Sequence, residues 1–233
     1  MRLDWARSLE SSGDYEQAVD LYEGLGLSDE AKTCYSSMLA NLEVGDTVML
    51  GSYEQDGNLE NGAEAIEWVV LAKQGDKTLL VSKYALDYQP YNASWTNVTW
   101  ESCTLRSWHN ESFLGTAFTE GERSLIDDTD VINADNGEYG TPGGNPTVDK
   151  VFLLSIDEAE EYFSSDGDRV CFPTAYAQES RAGSNGGCHW WLRSPGSVSG
   201  NAARVFLDGG IATNGWGVGD GNVAVRPALW INP

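Results

Sequence analysis

Thiols and imidazoles are scarce in this chain. It has four cysteines (Cys34, Cys103, Cys171 and Cys188) and two histidines (His109 and His189). A closed zinc site takes four ligands at short paired spacings, and no C-x-x-C pair occurs. Cys188 and His189 are adjacent, but neighbours on a strand point to opposite faces, so they do not form a thiolate–imidazole dyad. Four cysteines in 233 residues are too few for a disulfide scaffold. Cys171 and Cys188 read as buried thiols, and whether they pair stays open. Acids are plentiful: residues 120–168 carry fourteen Asp and Glu against two bases. Asp127, Asp128, Asp130, Asn133, Asp135 and Asn136 are a dense oxygen supply of the kind calcium favours. The EF-hand spacing fails, so the segment reads as a solvated acidic loop and no cofactor is expected. No context singles out a pair of carboxylates for acid–base work, and no catalytic or metal-binding residue is assigned.

Guanidiniums and indoles remain. Arg193 and Arg226 read as buried cations paired to carboxylates or loop carbonyls that hold strands in register, with a clamp for a ligand carboxylate as the alternative. Trp190, Trp191 and Trp230 read as core, given the area each must bury. Trp216 differs, because Asn214-Gly215-Trp216-Gly217-Val218-Gly219-Asp220 offers it little local cover, and it is expected to be exposed. Across residues 197–222, Ala203, Val205, Leu207 and Ile211 are expected to face inward. The outward set is chemically mixed. Arg204, Phe206, Asn214 and Trp216 would make contact with a ligand, with Asp208, Asp220 and Asn222 at a polar rim. The plainer reading is a glycine-rich turn region that only closes a sheet.

These residues need a frame. The chain divides near residue 42. In 1–42, Ala6, Leu9, Tyr15, Ala18, Val19, Tyr22 and Leu25 recur at helical spacing, with Gly13, Gly24 and Gly26 as breaks and Asp14 and Ser28 as caps. From 43 to 233 the pattern is of short strands with two or three helices. Thr47–Leu50 is a strand, and residues 66–71 and 78–82 form a hairpin across Gly75-Asp76. A helix is expected over Thr104–Leu114. Capping boxes at Thr119-x-x-Glu122 and Ser155-x-x-Glu158 open two more, the second after a strand at Val151–Leu154. The tail from Cys171 is strand and turn, punctuated by glycines including Gly183, with period-two alternation at 203–208 and 223–230.

Composition limits the partners. Nine Trp and ten Tyr with 41% apolar residues argue for a packed fold. Thirty-six acids against fourteen bases give a net charge of −22, which repels phosphate backbones and anionic lipid; neither nucleic acid nor membrane insertion is expected. The absence of a basic-then-apolar leader predicts a cytoplasmic location.

Two resemblances add to this. Gly13-Asp14-Tyr15, Ala18 and Tyr22 resemble the second half of a tetratricopeptide-type repeat. About one repeat is present, so either these helices pack on the main domain or, the preferred reading, the sequence is part of a longer chain. Trp190-Trp191-Leu192-Arg193-Ser194-Pro195-Gly196, followed by Val225-Arg226-Pro227-Ala228-Leu229-Trp230-Ile231, resembles a family of uncharacterised Firmicutes domains. Ile66-Glu67-Trp68, Trp100–Arg106 and Asp149–Ser155 fit the same pattern. That family is similar to the C-type-lectin-like fold of formylglycine-generating enzymes and of the variable proteins of diversity-generating retroelements. The resemblance implies an α+β, C-type-lectin-like domain of short, mostly antiparallel strands over 43–233, with the first and last strands paired. It implies a module that binds a protein or carbohydrate through 197–222, diversified if the locus carries a reverse transcriptase. The alternatives are a metal- or thiol-dependent oxidoreductase related to the formylglycine-generating enzymes, or a purely structural module.

Overall fold

Small side chains let the first three helices approach closely. In a computed structural model that describes residues 1–179 and 186–232, these are α1 (Arg2–Ser12), α2 (Tyr15–Gly24) and α3 (Ser28–Ala40). Ala6, Ala18 and Ala31 are buried among Val19, Tyr22 and Cys34. Asp14 and Leu27 stand at the N-caps of α2 and α3 without a side-chain cap bond, so neither Asp14 nor Ser28 caps as expected. The far face of α3 packs on the rest of the chain. Met38 and Leu39 join Val48, Leu50 and Trp68 in a second core, and the Lys73 ammonium donates to the carbonyls of Ala40 and Leu42 at 3.0 and 2.6 Å.

Strands β1 (Thr47–Tyr53), β2 (Glu64–Gln74), β3 (Lys77–Ser82) and β4 (Asp87–Tyr88) follow. Then come α4 (Thr104–Trp108), a π turn at His109–Phe113, α5 (Leu114–Ala117) and α6 (Glu120–Arg123). Next are β5 (Thr129–Val131), β6 (Thr147–Asp149), α7 (Ile156–Tyr162), α8 (Asp166–Arg169) and α9 (Ala175–Glu179). The chain closes with β7 (Trp190–Pro195), β8 (Asn201–Val205), β9 (Ile211–Gly217), β10 (Ala224–Val225) and β11 (Ala228–Ile231). The architecture is α+β. Gly183 lies outside the described residues.

Two sheets carry the fold. The first has the order β1-β2-β3-β11 and the second β4-β10-β7-β8-β9, with β5 and β6 as a separate pair. The expected hairpin is there as β2–β3, and both capping boxes form, at Thr119/Glu122 and Ser155/Glu158. Three expectations fail. The last strand pairs with β3, as Ala228↔Val81 and Leu229↔Leu80, and not with the first. Residues Thr78–Ser82 of β3 are all buried and need a neighbour on both sides, whereas β1 leaves Thr47 and Met49 exposed at the sheet edge. Val151–Leu154 is buried but makes only an isolated bridge, Phe152 to Ala228. The helix over 104–114 is broken into a π turn that buries His109.

The second sheet is covered on both faces through its middle. Trp190–Pro195 and Ala202–Val205 are all buried, so the alternation read from the sequence gives way to a two-sided core. Arg204, expected outside, is 8% exposed, and Leu207, expected inside, is 54% exposed. The reason is that β8 ends at Val205 and the chain turns, with Phe206 N–H donating to the Gly210 carbonyl at 2.7 Å.

Candidate functional site

Register decides what meets on the second sheet. Trp191 lies opposite Arg204, and Ala202 opposite Trp216. Cross-strand partners share a face, so one face carries Arg204 and Trp216 with the small residues Ala202 and Ala212 as their strand partners. The small partners leave room for the long side chain to run beneath the indole. The Arg204 guanidinium sits 4.3 Å from the Trp216 ring centroid and 5.2 Å from that of Phe206, a doubly aromatic environment worth about 1–2 kcal/mol where water is excluded. Between Ala212 and Trp216 strand β9 bulges against the shorter run Ala202–Arg204. Gly215, at φ +70°, makes the bulge, and a Cβ there would collide with the Ala202 carbonyl.

Trp216 is 45% exposed, as expected. Its indole N–H donates to the Asp220 carboxylate at 2.5 Å. Asp220 also accepts from the Asn222 backbone at 2.8 Å and side chain at 2.7 Å. Partial burial pushes the Asp220 carboxyl upward, but these donors and the Arg204 charge outweigh it and hold it below the usual carboxylate range. His189, Arg204, Trp216, Asp220, Asn222 and Val223 line an open cavity of about 410 Å³. The arrangement is an anchored indole with a carboxylate and an amide at its edge. It offers a flat apolar surface beside donors and acceptors.

Five of the seven predicted contact residues therefore converge: Arg204, Phe206, Trp216, Asp220 and Asn222. Arg204 is a correction within that set, because the rings cover it and it supports Trp216 from behind. Asp208 and Asn214 do not join. Asp208 caps the β8–β9 turn by accepting from Gly210 N–H at 3.1 Å. Asn214 is exposed in the bulge, and its backbone carbonyl accepts from Ser197. Two residues were missed. His189 lines the cavity and meets the Phe206 ring edge-on at 5.6 Å; its only signal is the register that sets it beyond Trp191. Trp95, 70% exposed, lies across Gly217 and Gly219, where a Cβ at Gly219 would sit 2.6 Å from its ring. Gly217 alternates with Trp216 along β9, and the Cβ direction at Gly217 runs into the Trp95 ring, so Trp95 covers the opposite face of the strand end.

The chain matches a family model described as a domain of unknown function (DUF6273) over residues 75–233. The chain belongs to that family. No curated protein and no solved structure matches it. The whole candidate face lies inside the DUF6273 region, whereas α1–α3, β1 and β2 lie outside it. The match begins at Gly75, in the β2–β3 turn, so the first sheet of this DUF6273 domain is completed by strands that precede the matched residues.

The other predicted residues, Arg193, Trp190, Trp191, Arg226 and Trp230, do not line this cavity. Arg193 forks onto the Glu158 carboxylate, with one bond at 2.7 Å, and donates to the carbonyls of Leu153 and Ile132 at 2.8 and 3.1 Å. Trp190 donates to the Arg169 carbonyl at 3.0 Å and Trp191 to that of Gln89 at 2.9 Å. Arg226 donates to the Ser82 carbonyl at 3.0 Å and lies 5.0 Å from the Trp190 ring. Trp230, expected as core, is half-buried beside a cavity of about 330 Å³ that Asp127 and Tyr162 also line. The oxygen-rich residues near 127–136 go to separate partners. Asp127 pairs with Lys77 at 2.5 Å and Asp128 with Lys150 at 3.5 Å. Asn136 donates to the carbonyls of Pro195 and Thr213. Among the described residues no helix is long and apolar enough to cross a membrane.

Proposed function

We propose that the chain is a ligand-binding display module of C-type-lectin-like architecture and that its ligand is a neutral carbohydrate held on the Trp216 face. One observation carries this reading. A half-exposed indole is backed by a buried guanidinium at 4.3 Å and tied at its N–H to Asp220 at 2.5 Å. An aromatic surface fixed in one orientation loses little freedom on binding and presents the flat apolar patch on which sugar rings stack. Asp220 and Asn222 beside it can accept from and donate to hydroxyls. The cavity volume falls in the range of small-molecule sites. A net charge of −22 argues for a neutral ligand over an anionic one. The long excursion through the second sheet before the chain returns to the first supports the lectin-like part of the reading, while the pairing of β11 with β3 in place of β1 departs from it.

Binding of wild type and Trp216→Ala to an array of neutral oligosaccharides tests the proposal. The expected result is retention of one glycan class with a change in tryptophan emission, and at least about tenfold weaker binding by Trp216→Ala, as for loss of an aromatic anchor. Retention of no neutral glycan, or equal binding by both proteins, overturns it. A purified protein ligand bound in place of any glycan, and lost in Trp216→Ala, would make the occupant a protein epitope.

A further inference from the structure

Two of the four cysteines meet. Cys171 follows α8 and Cys188 precedes β7, and the Cys188 N–H donates to the Cys171 carbonyl at 2.8 Å. A backbone bond of this kind holds the two Cα atoms roughly 5–6 Å apart, inside the range a disulfide spans. Both thiols are buried, at 1% and 2% exposure. The Cys171 thiol also reaches the carbonyls of Lys83 and Phe172, each at 3.7 Å. The carbonyl before Lys83, that of Ser82, accepts from Arg226 Nε at 3.0 Å. Thiol and guanidinium thus end on consecutive carbonyls of one segment.

Arg226 is 4% exposed and has no carboxylate within ion-pair distance among the described residues. Its other neighbours are the Arg169 carbonyl at 3.4 Å and the rings of Trp190 and Phe163. A buried cation without an anion is costly, and the thiol pair is the group beside it that can become one. Burial raises the Cys171 thiol, but the Cys188 thiol and the Arg226 charge outweigh it and bring it below the ordinary cysteine range; Cys188 is pushed up by the Cys171 thiol. Cys34 and Cys103 differ, for burial pushes them up to about 11 and about 12.

We propose that Cys171 and Cys188 are a redox pair that a hydroperoxide oxidises to a disulfide, with Arg226 stabilising the thiolate that attacks. With hydrogen peroxide, the Cys171 thiolate attacks one oxygen, so an S–O bond forms and the O–O bond breaks. Hydroxide leaves and takes up the thiol proton as water. The Cys188 sulfur then displaces the oxygen of the sulfenic acid, forming the S–S bond and releasing a second water. The two sulfurs lose two electrons and the two peroxide oxygens gain them. The new bond fixes the backbone one residue before His189, whose ring packs on Phe206, so oxidation braces one wall of the candidate face.

The test is hydrogen peroxide treatment of the folded chain, alkylation under denaturing conditions and peptide mapping. The expected product is one peptide pair linked through Cys171 and Cys188 and released by a dithiol reductant, with Cys34 and Cys103 carrying the alkyl label. Cys188→Ser should stop at a Cys171 sulfenic acid that a 1,3-dione captures. Arg226→Gln should slow oxidation by roughly tenfold; Arg226→Lys, which keeps the charge, should recover most of the rate and serves if the first variant does not fold. Four alkylated thiols after treatment, a link to Cys34 or Cys103, or separate sulfinic acids would each overturn the pair. Equal rates in Arg226→Gln and wild type would overturn the role of Arg226.

Discussion

Arg193 and Arg204 lie in the same sheet, at 4% and 8% exposure, yet their surroundings differ. Arg193 on β7 forks onto Glu158 and two carbonyls, with the α7 cap locked behind it. Arg204 on β8 sits against two rings that are themselves partly open to solvent. A guanidinium held by a carboxylate and carbonyls has few alternatives and fixes a structure. One packed against half-open ring faces backs a surface that solvent and ligand can still reach.

The largest expected effect breaks the Arg193 side. Arg193→Met leaves Glu158 and two buried carbonyls without their donor and should cost about 3 kcal/mol or more, read as a lowered thermal midpoint. If Arg204→Met costs as much, the contrast fails. A third buried base sharpens it through pH. His109 Nδ1–H donates to the Leu105 carbonyl at 2.8 Å, and its Nε2 has no partner among the described residues. Burial lowers its pKa to about 4. The unfolded chain therefore takes up the proton first, so stability holds above about pH 6.5 and falls as pH drops towards 4, by about 3 kcal/mol in all. Urea titrations of wild type and His109→Phe between pH 4 and 7 should differ in slope over that window; parallel curves would exclude His109 as the source.

Smaller effects belong to the face. Gly215→Ala strains a positive-φ bulge and crowds the Ala202 carbonyl, so a loss of about 2 kcal/mol is expected in chemical unfolding. Gly217→Ala should expel Trp95 from the strand end and shift tryptophan emission to the red, at a smaller cost in stability. Arg204→Met should loosen Trp216, seen as faster fluorescence depolarisation of that indole. An unchanged Trp216 signal would mean that Asp220 alone positions it.

Much of the local structure was legible because it depends on nearby residues. Both capping boxes reciprocate within four positions, and the β2–β3 hairpin follows from alternation on either side of Gly75-Asp76. Of the site, the exposure of Trp216 was legible from its glycine neighbours. The burial of Arg204 was not, since nothing between 197 and 222 says that both faces of β8 are covered. Trp95 was missed because the glycines that admit it lie more than a hundred positions along the chain.

The sequence by itself determined the α+β character, the helical start, the acidic surface and the aromatic content, all of which follow from composition and short-range spacing. Only the tertiary structure decided that the last strand joins β3, that Cys171 meets Cys188, and that Arg204 lies under Trp216. Each of these is a choice of partner between segments distant in sequence. Such a choice turns on which edges and faces remain uncovered once the rest of the chain has packed, and no local pattern records that.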